Sequence, residues 1–285
     1  MLGSDLIEHR LSHDHLAGAL MLSREPGWNQ NKADWRLMLN SEIAFGLSTD
    51  AGRLVASALA VPYHPSVGWI AMVLVTGDFR RRGFATHLMH RCLLALKERG
   101  LVPGLDATPE GRQVYLKLGF RDIYTVTRLF AMDPRRPVIS RSPTITELRS
   151  DDIGRISEYD RRWFGADRSF VLKDLYHRAR MLAFVAKSDD EISGYVLGRD
   201  GFVGHQIGPV VADDEKTACA LICRALSASN GPICLDVVDR HRDVRRELTG
   251  LGFTPQFPFF RMLHEHSEPI DDPTRIFVIA GPELG

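Results

Sequence analysis

The stretch FRRRGFATHLM, Phe79–Met89, places three arginines, a glycine and an alanine at the front of an apolar, helix-like run. Immediately before it, GWIAMVLV (Gly68–Val75) is almost continuously apolar, the pattern of a strand buried on both faces. The loop TGDF between them is short. After it, Ala85, Leu88, Met89, Cys92 and Leu96 recur at helical spacing as one stripe, with His87, Arg91 and Lys97 off it. A strand that runs straight into a helix leaves the first backbone N–H groups of that helix without partners. The helix dipole favours negative charge at the same place, so the junction suits phosphate. Gly83 and the small Ala85 allow close approach to the backbone, and Arg80, Arg81 and Arg82 add cationic, fork-shaped donors.

Around this junction the chain reads as mixed α and β. Leu6 to Arg10 alternates as a first strand, and Asp14 to Arg24 reads as a helix ended by EPGW. NKADWRLMLN is a second short helix. IAFGLSTD and LVASALAVPYH flank a DAGR turn and read as an antiparallel pair. LVPGLDA follows as a short strand. TPEGRQVYLKLGF opens with Thr108 as cap and Pro109 at the first helical position. YTVTRLFAM closes the first half as a strand. DPRRPVISRSP is rich in proline, serine and arginine and reads as a linker.

The second half then repeats the plan. Helical material spans about Ser150 to Arg180, strands follow at MLAFVAK, ISGYVLGR and HQIGPVVA, and a helix covers Glu215 to Ala228. PICLDVV, DVRRELTGLGF and FRMLHE complete it as strand, helix and strand. LD precedes LGF in both halves: Asp106 before Gly119, and Asp236 before Gly252. The period, ~130 residues, is too long for a solenoid. The expected organisation is a domain over residues 1–133, a linker over 134–143, and a degenerate second domain with a tail over 144–285.

VTGDFRRRGFATHLM resembles the acyl-CoA pyrophosphate motif of the GNAT N-acetyltransferase superfamily, an apolar strand followed by R/Q-x-x-G-x-G/A. Arg80, Gly83 and Ala85 match it. VYLKLGF is similar to a later helix of the same superfamily, with Tyr115 four residues before Gly119. The order of elements in residues 1–132 fits as well. GWNQNKADW, LDATPEG, FGADR and the final GPELG resemble a bacterial subgroup of two-domain GNAT proteins. The resemblance implies an α+β fold: two tandem GNAT-like domains, each a mixed, mostly antiparallel twisted sheet flanked by helices. It implies acetyl-CoA as co-substrate, held where the Gly68–Val75 strand splays from LVPGLDA. Backbone near Val73, Leu74 and Val75 would pair with the pantetheine arm, and the region from Arg80 to Thr86 would hold the pyrophosphate. One N–H of that strand, Leu74 the candidate, would polarise the thioester oxygen.

The implied reaction is direct acyl transfer to the amine of a small molecule. Tyr115 is the candidate acid for the CoA thiolate and Asp106 a candidate base. WIAMVLV carries no carboxylate, where many relatives have one, and this favours a water relay. Trp28 and Asn29 are candidate acceptor contacts, whereas Trp35 suits core packing. In the second half the matching helix start reads ADDEKTACALI, and Asp213, Asp214 and Glu215 would repel a pyrophosphate. Leu248 stands where Tyr115 does. That half is expected to bind no CoA and to shape the acceptor pocket, with Asp160, Phe164 and Arg168 presenting an acid, an aromatic and a cation. A non-catalytic acyl-CoA sensor and an aminoacyl or long-chain acyl transferase are the competing readings.

Bulk composition adds boundaries. Lys plus Arg and Asp plus Glu are both 36, so net charge gives no support to nucleic acid or a membrane surface as partner. No apolar run approaches a membrane span, and MLGSDLIEHRLSHDH is too polar for a signal peptide, so the cytoplasm is the default compartment. Cys219, Cys223 and Cys234 lack the partners of a zinc site, and no metal is expected. The sequence leaves the oligomeric state open.

Overall fold

In the computed structural model, residues 6–137 and 145–285 are described; residues 138–143 of the expected linker lie outside them. The chain divides into two compact units. Unit 1 holds residues 1–105 and the short loop 201–203, and unit 2 holds the remainder. The division therefore falls inside a strand near residue 105 and not at the proline-rich stretch.

In unit 1, strands β1 (Leu6–Arg10), β2 (Ile43–Thr49), β3 (Leu54–Tyr63), β4 (Val67–Val75) and β5 (Val102–Ala107) follow one another in sheet order. The first four pair antiparallel, and β4 with β5 runs parallel. Helices α1 (Leu16–Arg24), α2 (Lys32–Leu39) and α3 (Phe84–Lys97) complete it. A 3-10 turn over His13–His15 precedes α1, where the sequence reading runs the helix on from Asp14. The stripe on α3 buries Phe84, Leu88, Met89, Cys92 and Leu96. Each large apolar side chain buried this way contributes about 1.5–3 kcal/mol of transfer free energy, opposed by chain entropy. A Cβ on Gly68 would come 2.1 Å from Leu96 Cδ2, so this glycine is what lets α3 lie close on β4.

Unit 2 begins with α4 (Pro109–Lys117) and β6 (Phe120–Ala131), both from the first repeat. The second repeat supplies β7 (Ile145–Glu147), α5 (Asp152–Phe164), α6 (Ser169–Arg178), β8 (Phe184–Ser188), β9 (Glu191–Arg199) and β10 (His205–Ala212). Then come α7 (Glu215–Ala228), β11 (Ile233–Val238), α8 (Arg242–Gly250), β12 (Thr254–His264) and β13 (Ile276–Val278). Sheet order is β12-β6-β11-β13-β10-β9-β8-β7. β6 has both edges taken, by β11 from Ile233↔Ala131 to Val238↔Val126 and by β12 from Thr254↔Phe130 to His264↔Phe120. The closing strand of the first repeat is thus built into the sheet of the second. The fold is α+β with a mostly antiparallel sheet, as the resemblance implies. β13 was not foreseen.

Candidate functional site

The β4–β5 ladder ends at Trp69↔Gly104. Beyond it β4 continues against β3 alone, and the register there shifts, with Ser57 opposite Leu74 and Leu59 opposite Ala71. The extra residue on β4 is a bulge at Met72, whose φ is 52°. Ser57 Oγ donates to the Met72 carbonyl at 2.8 Å and fixes it. Val73 and Val75 are half-buried and Leu74 is buried.

After β4, a 3-10 turn (Gly77–Phe79) leads to the arginines. Arg80 Nε donates to the Val75 carbonyl at 3.0 Å. Arg82 Nη2 donates to the Asp78 carbonyl at 2.9 Å and lies over the Phe79 ring. These two brace the loop. Arg81, with φ 59°, is exposed. Gly83 caps α3 at φ 83°, ψ 0°, a left-handed conformation that favours glycine, and offers no side-chain cap. His87 N–H, bonded to Gly83 O at 2.9 Å, makes the first helical turn. The amides of Phe84, Ala85 and Thr86 ahead of it are the orphan donors of the helix start. Glycine at this position leaves the N-terminus without a side-chain cap, beside the arginines.

Sequence reasoning missed Glu25. It stands just past α1, 52 residues before Gly77, and only the fold brings them together. Glu25 Oε2 accepts from Thr76 Oγ1 at 2.5 Å, Oε1 accepts from Gly77 N–H at 2.8 Å, and Arg80 Nη2 is 3.6 Å away. The Thr76 hydroxyl first, then the Gly77 amide and Arg80, hold its carboxyl below the usual range against the cost of burial. A lowered folded-state pKa contributes stability above the unfolded value of about 4.3 and loses it as pH falls through the lower one. The stability gap between wild type and Glu25→Gln should therefore be full at pH 7 and close below about pH 4. Denaturant titrations at the two pH values check this, and a gap that widens in acid contradicts it.

The corresponding junction in unit 2 is closed by its acids. Asp214 caps α7, accepting from Thr217 N–H at 2.7 Å. Asp213 Oδ1 accepts from Tyr159 at 2.8 Å, and the Asp213 carbonyl accepts from Arg275. Glu215 Oε1 accepts from the Asp243 and Val244 amides, both at 3.1 Å, at the start of α8. Leu248, the counterpart of Tyr115, is buried.

Tyr115 lies in unit 2 on α4, half-buried, with its ring 5.9 Å from that of Phe120. A Cβ on Gly111 would meet the ring at 3.0 Å, so Gly111 leaves room for it. Thr108 caps this helix as expected, accepting from Gly111 N–H at 3.2 Å.

Asp106, the candidate base, is engaged by a cation. Its carboxylate is fully buried and both oxygens face Arg261, at 2.9 Å from Nε and 2.8 Å from Nη2. Arg261 Nη1 also reaches Asp271 at 2.5 Å and Tyr124 at 2.7 Å. Burial pushes the Asp106 carboxyl up and Arg261 pulls it back. The repeat makes the same clamp: Arg128 holds Asp236 through two bonds of 2.8 Å.

Asp160, Phe164 and Arg168 do not form a substrate-facing trio. All three are buried. Arg168 makes two 2.9 Å bonds to Asp160, stacks 3.8 Å over the Phe164 ring and donates to the Gly285 carbonyl. Tyr195 donates to Asp160 at 2.5 Å. α5 ends at Gly165 with φ 79°, which turns the following chain back and folds Arg168 onto Asp160.

In unit 1, Asn29 is buried too. Its side-chain oxygen accepts from Val203 N–H and its carbonyl from Phe202 N–H, both at 2.8 Å. Residues 201–203, second-repeat sequence, are latched there, and Arg24 lies over Phe202. Trp28 is half-buried. Trp35 is fully buried and donates to Ser23 Oγ at 3.0 Å, a core residue.

Comparison with known proteins places both halves of the chain in one family. Residues 12–120 match the Acetyltransferase (GNAT) family, and residues 156–278 match an Acetyltransferase (GNAT) domain. The chain is 24% identical over 246 residues to the uncharacterized N-acetyltransferase YitH of Bacillus subtilis (strain 168), covering 86% of each. It is 25% identical over 261 residues to the holothin acyltransferase of Pseudoalteromonas sp. (strain SANK 73390), covering 90% of this chain and 87% of that protein. A candidate acetyltransferase of Pyrococcus horikoshii superposes with a TM-score of 0.83 at 19% identity, covering 100% and 98% of the two chains.

Proposed function

Because the chain carries two GNAT acetyltransferase domains in tandem and belongs with that superfamily of acyltransferases, we propose that it transfers an acetyl group from acetyl-CoA to the amine of a small molecule, at one site per chain. One observation carries the reading: the α3 start is open, glycine-capped and cationic, whereas the α7 start is filled by its own acids. Val73, Leu74 and Val75 offer strand edge to the pantetheine arm. Arg81 and the amides from Gly83 to Thr86 take the pyrophosphate, with Ala85 leaving space. Arg80 and Arg82 hold the loop. Glu25 fixes its entry.

Only a neutral amine attacks the thioester, so its proton must leave before or during attack. With Asp106 engaged by Arg261, and no carboxylate on β4, a water relay carries that proton. The departing thiolate, whose thiol titrates near ~8.5, receives a proton from Tyr115. The Leu74 amide is the oxyanion donor, a contribution on the order of 3 kcal/mol in other enzymes. On the acceptor side, Trp28 and the latched 201–203 loop shape unit 1.

Thiol release from acetyl-CoA and longer acyl-CoAs, measured against a panel of small amines, tests the reading. Turnover with at least one amine is expected, and Tyr115→Phe should lower kcat by about 10²-fold with KM for acetyl-CoA nearly unchanged. Coenzyme binding without turnover on any amine would instead establish the sensor reading. A preference for long acyl chains would replace acetyl by a longer group.

A further inference from the structure

Unit 2 contains a second strand fork. β10 and β11 run parallel only at His205↔Ile233 and Gln206↔Cys234. Beyond that point the β9–β10 register shifts between Ile207 and Val210, as β3–β4 shifts opposite Met72. This fork is occupied. β13 lies in it antiparallel to both sides: Val278 pairs with Val210 and with Val237, and Ile276 pairs with Val211. Ile279 N–H donates to the Asp236 carbonyl and Ala212 N–H to the Arg275 carbonyl, each at 3.0 Å. Residues 276–285 are buried except for the half-buried Pro282. At the far end Arg199 pairs with Glu283 and Arg168 donates to Gly285. A Cβ on Gly208, at φ 149°, would come 2.1 Å from the Ile279 carbonyl, so the segment's backbone seats against a glycine.

We propose that the β10–β11 fork is a peptide-binding cleft whose resident ligand is the chain's own segment 276–285. Strands that splay inside a core leave backbone N–H and C=O groups that must find partners. An added strand supplies them, and alternate side chains supply the fit. The ligand class is an extended apolar peptide, Ile-Phe-Val-Ile, followed by an acid that reaches Arg199. With the segment in the fork and Asp214 on the α7 amides, chain atoms occupy both places where this half could receive a coenzyme. The proposal rests on the fork alone and stands or falls independently of acyl transfer by unit 1.

The test uses the full chain cut at an engineered protease site between the exposed Ser267 and Glu268. The cut protein is incubated in mild urea with excess fluorescent peptide spanning residues 268–285, then returned to buffer. Expected is uptake of one peptide per chain, with hydrogen-exchange protection in the reloaded protein of the Ala212 and Val238 amides, which lie on the strand sides that face the segment. A peptide carrying Ile279→Pro, which lacks the N–H given to Asp236, should be taken up at least about 10-fold less well. Failure of the wild-type peptide to enter, or protection at those amides that is the same with the segment gone, overturns the proposal. Equal uptake of the proline peptide overturns it as well.

Discussion

Gly83→Asp should lower kcat/KM for acetyl-CoA by about 10²–10³-fold, equivalent to about 3–4 kcal/mol of lost binding to the transition state. Two effects add. An L-residue at φ 83° costs roughly 1–2 kcal/mol in backbone strain, and a carboxylate then sits where the diphosphate is to bind. Nothing lies within 4 Å of the new Cβ, so the substitution makes no packing clash and the fold should survive. Gly83→Ala separates the two contributions, because it keeps the strain without the charge; about a 10-fold loss is expected from it. Unit 2 offers a natural comparison. Asp214 stands at its helix start and has taken the Thr217 amide for itself. Steady-state kinetics with acetyl-CoA varied, beside thermal melts of both variants, decides the matter. Full turnover by the aspartate variant would place the coenzyme elsewhere.

Local features of this fold were legible because they depend on local chemistry. The apolar run of β4, the stripe on α3 and the Thr108 cap each come from a few adjacent residues, and each lies where the pattern puts it. The contrast between RRRG and ADDE also reads directly as charge. Pairings across the repeat carry no such mark. β6 alternates like a strand, but nothing in its sequence says that its two neighbours are β11 and β12. Asp106 ends a strand at the expected edge, yet its partner is 155 residues on. The segment from Asp160 to Arg168 reads as side chains presented to a substrate; Tyr195 and Gly285, far away in sequence, draw it into an inward network instead. Glu25 was invisible for the same reason: EPGW shows a helix ending and gives no sign of the loop its carboxylate will hold.

Asp106→Asn should destabilise the protein by about 3–5 kcal/mol, because it leaves the buried Arg261 facing a neutral amide where it had two charge-assisted bonds. For a unit of this size that corresponds to a fall in Tm of roughly 10 °C or more. Asp271 and Tyr124 still touch Arg261 and moderate the loss without replacing the bidentate pair. Arg261→Met placed on the asparagine variant would leave the buried Asp271 carboxylate without its cation, so little stability should return and the double variant should melt no higher than the single one. The catalytic alternative predicts a different pattern. A general base leaves its mark on the pH–rate profile, and its removal would flatten the acidic limb of kcat/KM. If Asp106 only clamps strands, turnover per folded molecule keeps its pH profile while Tm falls. Asp236→Asn then provides the internal control: it breaks the equivalent clamp with Arg128 and should reproduce the thermal loss. A stable Asp106→Asn protein with a flattened acidic limb would return this carboxylate to the chemistry and leave the proposed water relay without a purpose.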